Sequence, residues 1–138
     1  MRFDVIIGNP PYQSGSLNVA LWPKFWSQGF RLLKSGGVIS FVTPQTWCGP
    51  GGQVFGDDKI GGQRRLWKVF DSYTSVARVH GVNKWFPGVG SSFSVVFVDT
   101  SGSEGLRFEG EDFDVSLGFY PLSGVEEVRK QLAVADNI

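Results

Sequence analysis

A short apolar run near the N-terminus ends at two prolines. Residues 3–8 read Phe-Asp-Val-Ile-Ile-Gly, and Asn9-Pro10-Pro11-Tyr12 follows directly. A run of this kind is typical of a buried strand in a parallel sheet. Because proline lacks the backbone N–H that a central strand needs, the chain must leave the sheet here. The pattern therefore predicts a buried parallel strand with an Asn-Pro-Pro-Tyr loop at its carboxyl end.

The rest of the chain alternates between helical and strand patterns. Apolar spacing predicts helices over residues 19–34, 63–73 and 123–135. Apolar runs predict strands over residues 38–42, 76–79, 93–99, 106–108 and 113–115, and six glycines with one proline make residues 49–62 a long loop. This order favours a layered α/β sheet, in which sites lie at the carboxyl ends of the strands. Residues 9–12 and 43–47 are expected at such ends.

Charge is unevenly distributed along the 138 residues, although the formal net charge is zero. Residues 1–98 contain ten basic and four acidic residues, whereas residues 99–138 contain three and nine. A basic body suits a polyanionic partner. For the acidic end, three roles stay open: shielding that body, binding another protein, or keeping the chain in solution.

Composition excludes several classes of protein. Cys48 and His80 are the single cysteine and the single histidine, so neither an internal disulfide nor a Cys/His zinc cluster is possible, and no metal is expected. No apolar stretch approaches the ~18 residues of a membrane span, and no signal segment is evident at the N-terminus. We therefore expect a cytoplasmic protein without a membrane partner.

Three blocks of the chain carry a resemblance to a known family. Residues 3–12, FDVIIGNPPY, resemble the catalytic strand and loop of S-adenosylmethionine-dependent methyltransferases that act on exocyclic or amide nitrogens. Residues 21–47, LWPKFWSQGFRLLKSGGVISFVTPQTW, resemble the helix-strand segment of N6-adenine DNA methyltransferases of restriction–modification type. Residues 85–99, WFPGVGSSFSVVFVD, resemble their next block, in the same order.

The resemblance implies an α/β fold with a partial Rossmann-like methyltransferase sheet. Residues 1–100 would form the catalytic half of the domain. Residues 101–138 would form an acidic C-terminal extension, rich in β structure and ending in a helix. Asn-Pro-Pro-Tyr alone is less specific, because enzymes that methylate a protein glutamine or an RNA base share it.

The chemistry of the loop can be argued from its residues. The amino nitrogen of a base is a poor nucleophile, and two acceptors aimed at its hydrogens would favour a more reactive, pyramidal state. Asn9 offers a side-chain carbonyl, Pro10 offers a backbone carbonyl that Pro11 helps to hold rigid, and Tyr12 offers a flat ring for stacking. The target nucleotide must be flipped out of the duplex to reach them. By the resemblance, Phe86 is the second aromatic residue against the flipped base.

Each of these assignments has a plainer alternative. Asn-Pro-Pro-Tyr can be only a rigid turn, and Phe86 can be only a core side chain. Arg64, Arg65 and Lys68, expected on one helix, are candidates for contacts to DNA phosphates, or they form a solvated helix face.

The cofactor half of the resembled enzymes has no counterpart that can be recognised here. It would contain a Gly-rich turn around the methionine end of S-adenosylmethionine and an acidic residue that grips its ribose. The chain starts two residues before the predicted catalytic strand, and about forty residues follow position 99. We therefore expect an incomplete S-adenosylmethionine site and, besides DNA, a partner that is a second copy or a separate cofactor-binding subunit. A fragment, a split-enzyme subunit and an inactive relic all stay open.

The expected reaction is methyl transfer from S-adenosylmethionine to the N6 amine of a flipped-out adenine in DNA. Two other functions stay open. One is an inactive methyltransferase-like protein that binds nucleic acid or another protein, and the other is methylation of a protein glutamine or an RNA base.

Overall fold

The computed structural model describes residues 1–15, 20–49, 54–55, 64–89, 92–109, 120 and 134, and at 54–55 and 64–65 it describes only the backbone. The strands in this part of the chain are β1 (Phe3–Gly8), β2 (Leu33–Pro44), β3 (Val54–Phe55), β4 (Arg64–Arg65), β5 (Thr74–Arg78), β6 (Phe93–Asp99) and β7 (Gly105–Phe108). The helices are α1 (Trp22–Leu32) and α2 (Leu66–Asp71), and 3₁₀ turns cover Gln45–Cys48 and Val82–Trp85.

A mixed sheet with the strand order β1-β2-β6-β5-β7 forms the centre of the molecule. β1 is parallel to β2, β5 is parallel to β7, and β6 is antiparallel to both β2 and β5. β1, β2, β5 and β7 therefore point the same way, and their carboxyl ends lie at one edge with the start of β6. The predicted α/β fold with a partial methyltransferase-like sheet is confirmed, although the antiparallel β6 makes the sheet mixed.

α1 packs its buried face on β2 through aromatic contacts. The ring of Trp26 lies 4.8 Å from that of Phe41 on β2 and 4.8 Å from that of Phe70 on α2. Gly29 allows the close approach, because a Cβ there would overlap the Ile39 side chain. Pro23 lies in the first turn of α1, where a missing N–H costs no hydrogen bond. The core therefore lies between α1, α2 and one face of the sheet.

Several predicted boundaries are wrong for identifiable reasons. The predicted helix over 19–34 is shorter, because Leu33 is already extended and pairs with Phe3 in β1. β2 thus begins five residues before the predicted strand over 38–42 and includes Gly36 and Gly37. Gly37 is needed there, because a Cβ would lie 2.9 Å from the Asp4 carbonyl oxygen.

A second boundary correction concerns the basic residues before α2. The predicted helix over 63–73 begins only at Leu66, and Arg64–Arg65 form β4, which pairs with β3 inside the region expected to be a loop. The three basic residues therefore do not share one helix face. β5 and β7 lie within two residues of their predictions, and β6 matches its prediction over 93–99. The predicted strand over 113–115 and the helix over 123–135 lie outside the described residues, save for residue 134.

The predicted burial of the first strand is wrong for this chain. Among the described strands, β1 pairs with β2 alone and lies at the edge of the sheet, and Phe3, Val5 and Ile7 are 43%, 60% and 76% exposed. Among the described helices, none combines the length and apolar character that a membrane crossing requires.

Candidate functional site

The loop after β1 holds Asn9 and Tyr12 in direct contact. The Tyr12 hydroxyl donates a hydrogen bond of 2.6 Å to Oδ1 of Asn9. Burial raises the pKa of Tyr12, and the weaker opposing effect is its hydrogen bond to Asn9, so the phenol remains a donor at neutral pH. The Asn9 side chain is exposed, and its Oδ1 has a second lone pair. The bond therefore orients one amide oxygen toward solvent as an acceptor.

The backbone of this loop is fixed from both sides. Pro10 is buried, and the Tyr12 carbonyl accepts a bond of 2.9 Å from the N–H of Leu21, just before α1. Gln13 and Ala20 form a β-bridge beside it. The loop is thus held to the start of α1 rather than projecting freely from the sheet.

An aromatic wall, formed by Tyr12, Phe93 and Phe86, stands beside this loop. The ring of Phe93 lies 5.3 Å from Tyr12 and 4.9 Å from Phe86, tilted by 40° and 50°. Phe93 is buried, whereas Tyr12 and Phe86 are half-buried. The structure therefore brings the two predicted base-stacking residues to one place, through a third ring that sequence reasoning did not single out.

Phe93 lies here because of strand register. It is the first residue of β6 and pairs with Pro44, the last residue of β2. Its N–H donates to Oδ1 of Asn83 at 3.1 Å, and its carbonyl accepts from Nε2 of Gln45 at 2.6 Å. Gln45 also donates to the carbonyl of Val79, just past the end of β5. The only sequence signal for Phe93 is its place as the first apolar residue after two serines.

The candidate phosphate contacts do not join this arrangement in the described residues. Lys68 is exposed on α2, and none of its described contacts reaches the Asn9 loop. Arg64 and Arg65 are placed in β4, but their side chains lie outside the described part of the structure. Their contact with phosphate stays a prediction.

Among the described residues, none near Asn9 at the carboxyl ends of β1 and β2 is acidic. The acidic residues within the described ranges are Asp4, Asp71, Asp99, Glu104 and Glu109. None follows β1 or β2 at its carboxyl end, and Glu109 pairs with Arg78 at 3.6 Å. A residue to grip the ribose of S-adenosylmethionine is therefore missing from the described site, and these residues do not form a complete cofactor pocket.

In the part of the chain that the structure describes, neither a reactive thiol nor a metal-binding cluster adds to this site. Cys48 is buried, and burial raises the pKa of its thiol far above its usual value, so it is a poor nucleophile. Within the described ranges, no three His, Cys, Asp or Glu residues lie close enough together to hold a metal ion.

Comparison with known proteins identifies the family. The family model of the Eco57I restriction-modification methylase matches residues 1–74, which is more than half of the chain. The chain belongs to the Eco57I restriction-modification methylase family. The matched residues include β1, the Asn9 loop, α1 and β2. The resemblance to restriction–modification methyltransferases is thus confirmed, whereas adenine N6 as the target and the roles of the loop residues stay predictions.

A solved structure supports the fold of this Eco57I-family chain. It comes from work on complex assembly and conformational transition in a type I R-M system, with a TM-score of 0.54 and 15% identity. The match covers 94% of this chain but 28% of the solved one. At this identity the likeness shows the fold alone, and the chain spans about a quarter of the length of the protein it matches. No curated protein matches the chain.

Proposed function

We propose that this chain carries the target-base half of an N6-adenine DNA methyltransferase of restriction–modification type, which uses S-adenosylmethionine. The observation that carries the proposal is the Asn9–Tyr12 hydrogen bond beside the aromatic wall. An oriented amide oxygen and a set of rings are what a flipped-out adenine needs: an acceptor for its amine and faces for its base. Membership in the Eco57I family supports the reaction class.

The loop acts on the amine through two acceptors. The free lone pair of Asn9 Oδ1 accepts one N6 hydrogen, and the Pro10 carbonyl accepts the other. Both bonds are strongest when the nitrogen is pyramidal with its lone pair directed at the methyl group, so they favour the transition state over the planar amine. Bound S-adenosylmethionine supplies an electrophilic methyl group. Transfer would break the methyl–sulfur bond of S-adenosylmethionine as the N–C bond forms, so that S-adenosylhomocysteine would leave, and one of the two hydrogens on the cationic nitrogen would then depart as a proton toward solvent.

The aromatic wall holds the base in the plane that these bonds require. Tyr12 offers its ring to one side of the base, and Phe86 closes another side. Phe93 is buried behind both and keeps their separation fixed. Stacking of this kind contributes ~1–3 kcal/mol per base, which offsets part of the cost of flipping.

The test measures methyl incorporation by the Asn9→Ala variant, assembled with the partner that the active enzyme requires. Loss of one acceptor should lower methyl incorporation into adenine-containing DNA by about 100-fold, because a misplaced nucleophile reacts slowly. Gln13→Ala, which removes another exposed amide from the same loop, is the matched control and should leave the rate unchanged. Unchanged turnover in Asn9→Ala would overturn the proposal. Methylation of RNA or of a protein glutamine instead of DNA would overturn the proposed substrate.

The exposed first strand supports a second element of the proposal, a protein partner. No other described strand pairs with the outer edge of β1, and beside it a groove of about 490 Å³ is lined mainly by apolar residues of β1 and α1, among them Val5, Ile7 and Phe25. A long apolar edge is a hazard unless it is covered. β7 pairs with β5 at the opposite edge, so residues 105–108 do not cover it. A second copy or a cofactor-binding subunit would add strands here and complete the cofactor site.

Light scattering on the chain tests this partner. If a second copy covers β1, Ile7→Lys should shift the population toward monomer, because it places a charge on the exposed edge. Lys24→Glu, on the exposed side of α1, is a control that should leave the mass unchanged. A strict monomer at high concentration whose β1 amides resist hydrogen exchange would refute the assembly, since the chain itself would then cover the strand.

A further inference from the structure

Trp85 differs from the other tryptophans of the chain in its exposure. It is 66% exposed, whereas Trp22, Trp26, Trp47 and Trp67 are all buried. A single exposed apolar side chain needs no explanation by itself. Trp85, however, directly precedes Phe86 of the aromatic wall, so its exposure lies at the rim of the candidate site.

The turn that carries Trp85 is fixed to the sheet. Val82 is buried, and Asn83 accepts the N–H of Phe93 at the start of β6. The Phe86 N–H closes the turn on the Asn83 carbonyl at 3.0 Å. Gly81 begins the turn with a φ of 71°, a conformation that suits glycine. The exposed indole is therefore presented by a rigid turn, with Phe86 directed toward Phe93 and Trp85 left in solvent.

A cation lies beside the ring of Trp85. Nζ of Lys84 lies 5.0 Å from the centroid of the Trp85 ring, within cation–π range. Residues 72–98 contain no aspartate or glutamate. Glu109, an acidic residue at the same sheet edge, is paired with Arg78. An exposed indole beside a cation, with no acid in its own segment, matches a nucleobase with its phosphate.

We infer that Trp85 and Lys84 form a nucleotide-binding platform beside the candidate active site. The Trp85 ring stacks on an unstacked base of the DNA strand, and the Lys84 ammonium contacts a phosphate of that strand. This inference rests on the proposed function for the identity of the neighbouring nucleotide, the flipped adenine. Because Trp85 and Phe86 are consecutive but point apart, one base can occupy the wall while the next nucleotide reaches the platform.

The chain contains its own probe for this contact. Four of its five tryptophans are buried, so solvent-exposed emission comes from Trp85. Titration with a single-stranded DNA oligonucleotide should quench that emission and shift the remainder toward the spectrum of buried tryptophan. Trp85→Ala should weaken binding, measured by anisotropy of labelled DNA, by about 5- to 100-fold, and Trp85→Phe should retain most of it, because both rings stack.

The cation is tested separately. Lys84→Ala should reduce the slope of log affinity against log salt by about one, since one phosphate contact is lost. Lys24→Ala removes a cation from exposed α1 and should leave the slope unchanged. An oligonucleotide of abasic sites should bind without quenching, because it offers phosphates but no base.

The outcomes separate this inference from the proposed function. Absence of quenching, or equal DNA affinity of Trp85→Ala and the natural chain, would overturn the platform even if Asn9→Ala abolishes methyl transfer. Quenching and loss of affinity in Trp85→Ala, together with full activity in Asn9→Ala, would support the platform while the proposed catalytic role fails. Stronger quenching by RNA than by DNA would overturn the assignment of the ligand as DNA.

Discussion

Gln45 follows β2 and hydrogen-bonds to the end of β5 and the start of β6, next to the aromatic wall. Replacing it tests how much these hydrogen bonds stabilise the site. Its side-chain NH₂ donates both hydrogens, to the carbonyls of Val79 and Phe93. Both carbonyls lie just past the last β5–β6 pair, Arg78 with Val95, so the amide bridges the strands where the ladder ends. Gln45→Met keeps the length and shape of the side chain and removes both donors.

The expected loss follows from the two carbonyls left behind. Gln45 is buried, so water does not readily replace its hydrogen bonds. A buried acceptor that loses its partner costs ~1–3 kcal/mol, which gives a range of about 2–6 kcal/mol for the pair. We expect the free energy of unfolding to fall by at least ~2 kcal/mol. We also expect faster hydrogen exchange at Phe93, whose backbone would be held only by Asn83 on this side.

Chemical denaturation monitored by circular dichroism measures the first quantity. Gln28→Met makes the same chemical change at an exposed site on α1 and should alter the unfolding free energy by no more than ~0.5 kcal/mol. A loss below ~0.5 kcal/mol in Gln45→Met would contradict this prediction, because the two bonds would then contribute nothing to stability.

Gln45→Glu adds a pH dependence with a defined sign. Burial and two facing carbonyl oxygens both disfavour the carboxylate, so the folded pKa should lie above the ~4.3 of an unfolded glutamate. Stability relative to the natural chain should therefore be highest below pH ~4.3, where the protonated carboxyl can still donate one bond. It should fall by up to ~1.4 kcal/mol per pH unit as the pH rises toward the folded pKa.

Three further predictions concern Thr43, Phe93 and the binding of S-adenosylmethionine. Thr43 is fully buried, and its hydroxyl has no hydrogen-bond partner in the described structure. Thr43→Val should therefore raise the unfolding free energy by about 1 kcal/mol in the same denaturation assay, and a lower unfolding free energy would contradict this prediction. Phe93→Leu should lower the unfolding free energy by up to ~1.5 kcal/mol and should also slow methyl transfer, because the rings of Tyr12 and Phe86 lose their support. Lower stability with full activity would contradict this role of the aromatic wall. Calorimetry of the chain alone with S-adenosylmethionine should show weak or no binding, and tight one-to-one binding would mean that the cofactor site is complete.

Local signals made β1, the loop after it and β6 predictable. The apolar run of β1 and the prolines after it depend on short-range properties, namely burial preference and a missing N–H, so the strand and its loop could be located from the sequence. β6 was predicted to the residue for the same reason, since five of its seven residues are apolar. The Asn9 loop could be proposed as a site because its residue types carry the chemistry themselves.

Boundaries were less predictable where local and long-range preferences compete. The residues from Leu33 to Gly37 continue a helical pattern and then read as a helix stop, yet they join β2 because Leu33 pairs with Phe3 thirty residues earlier. Arg64 and Arg65 have good helix propensity, but pairing with β3 draws them into a strand.

Residue types alone show that an Asn-Pro-Pro-Tyr loop follows an apolar strand, and they show which side chains in it can accept hydrogen bonds or stack. The contacts of Phe93 with Tyr12 and Phe86, and the exposure of β1, become evident in the folded chain. The physical reason is that both depend on the order and direction of strands. Phe93 reaches the wall because β6 runs antiparallel and its first residue meets the last residue of β2, a pairing across 49 positions that no local pattern encodes.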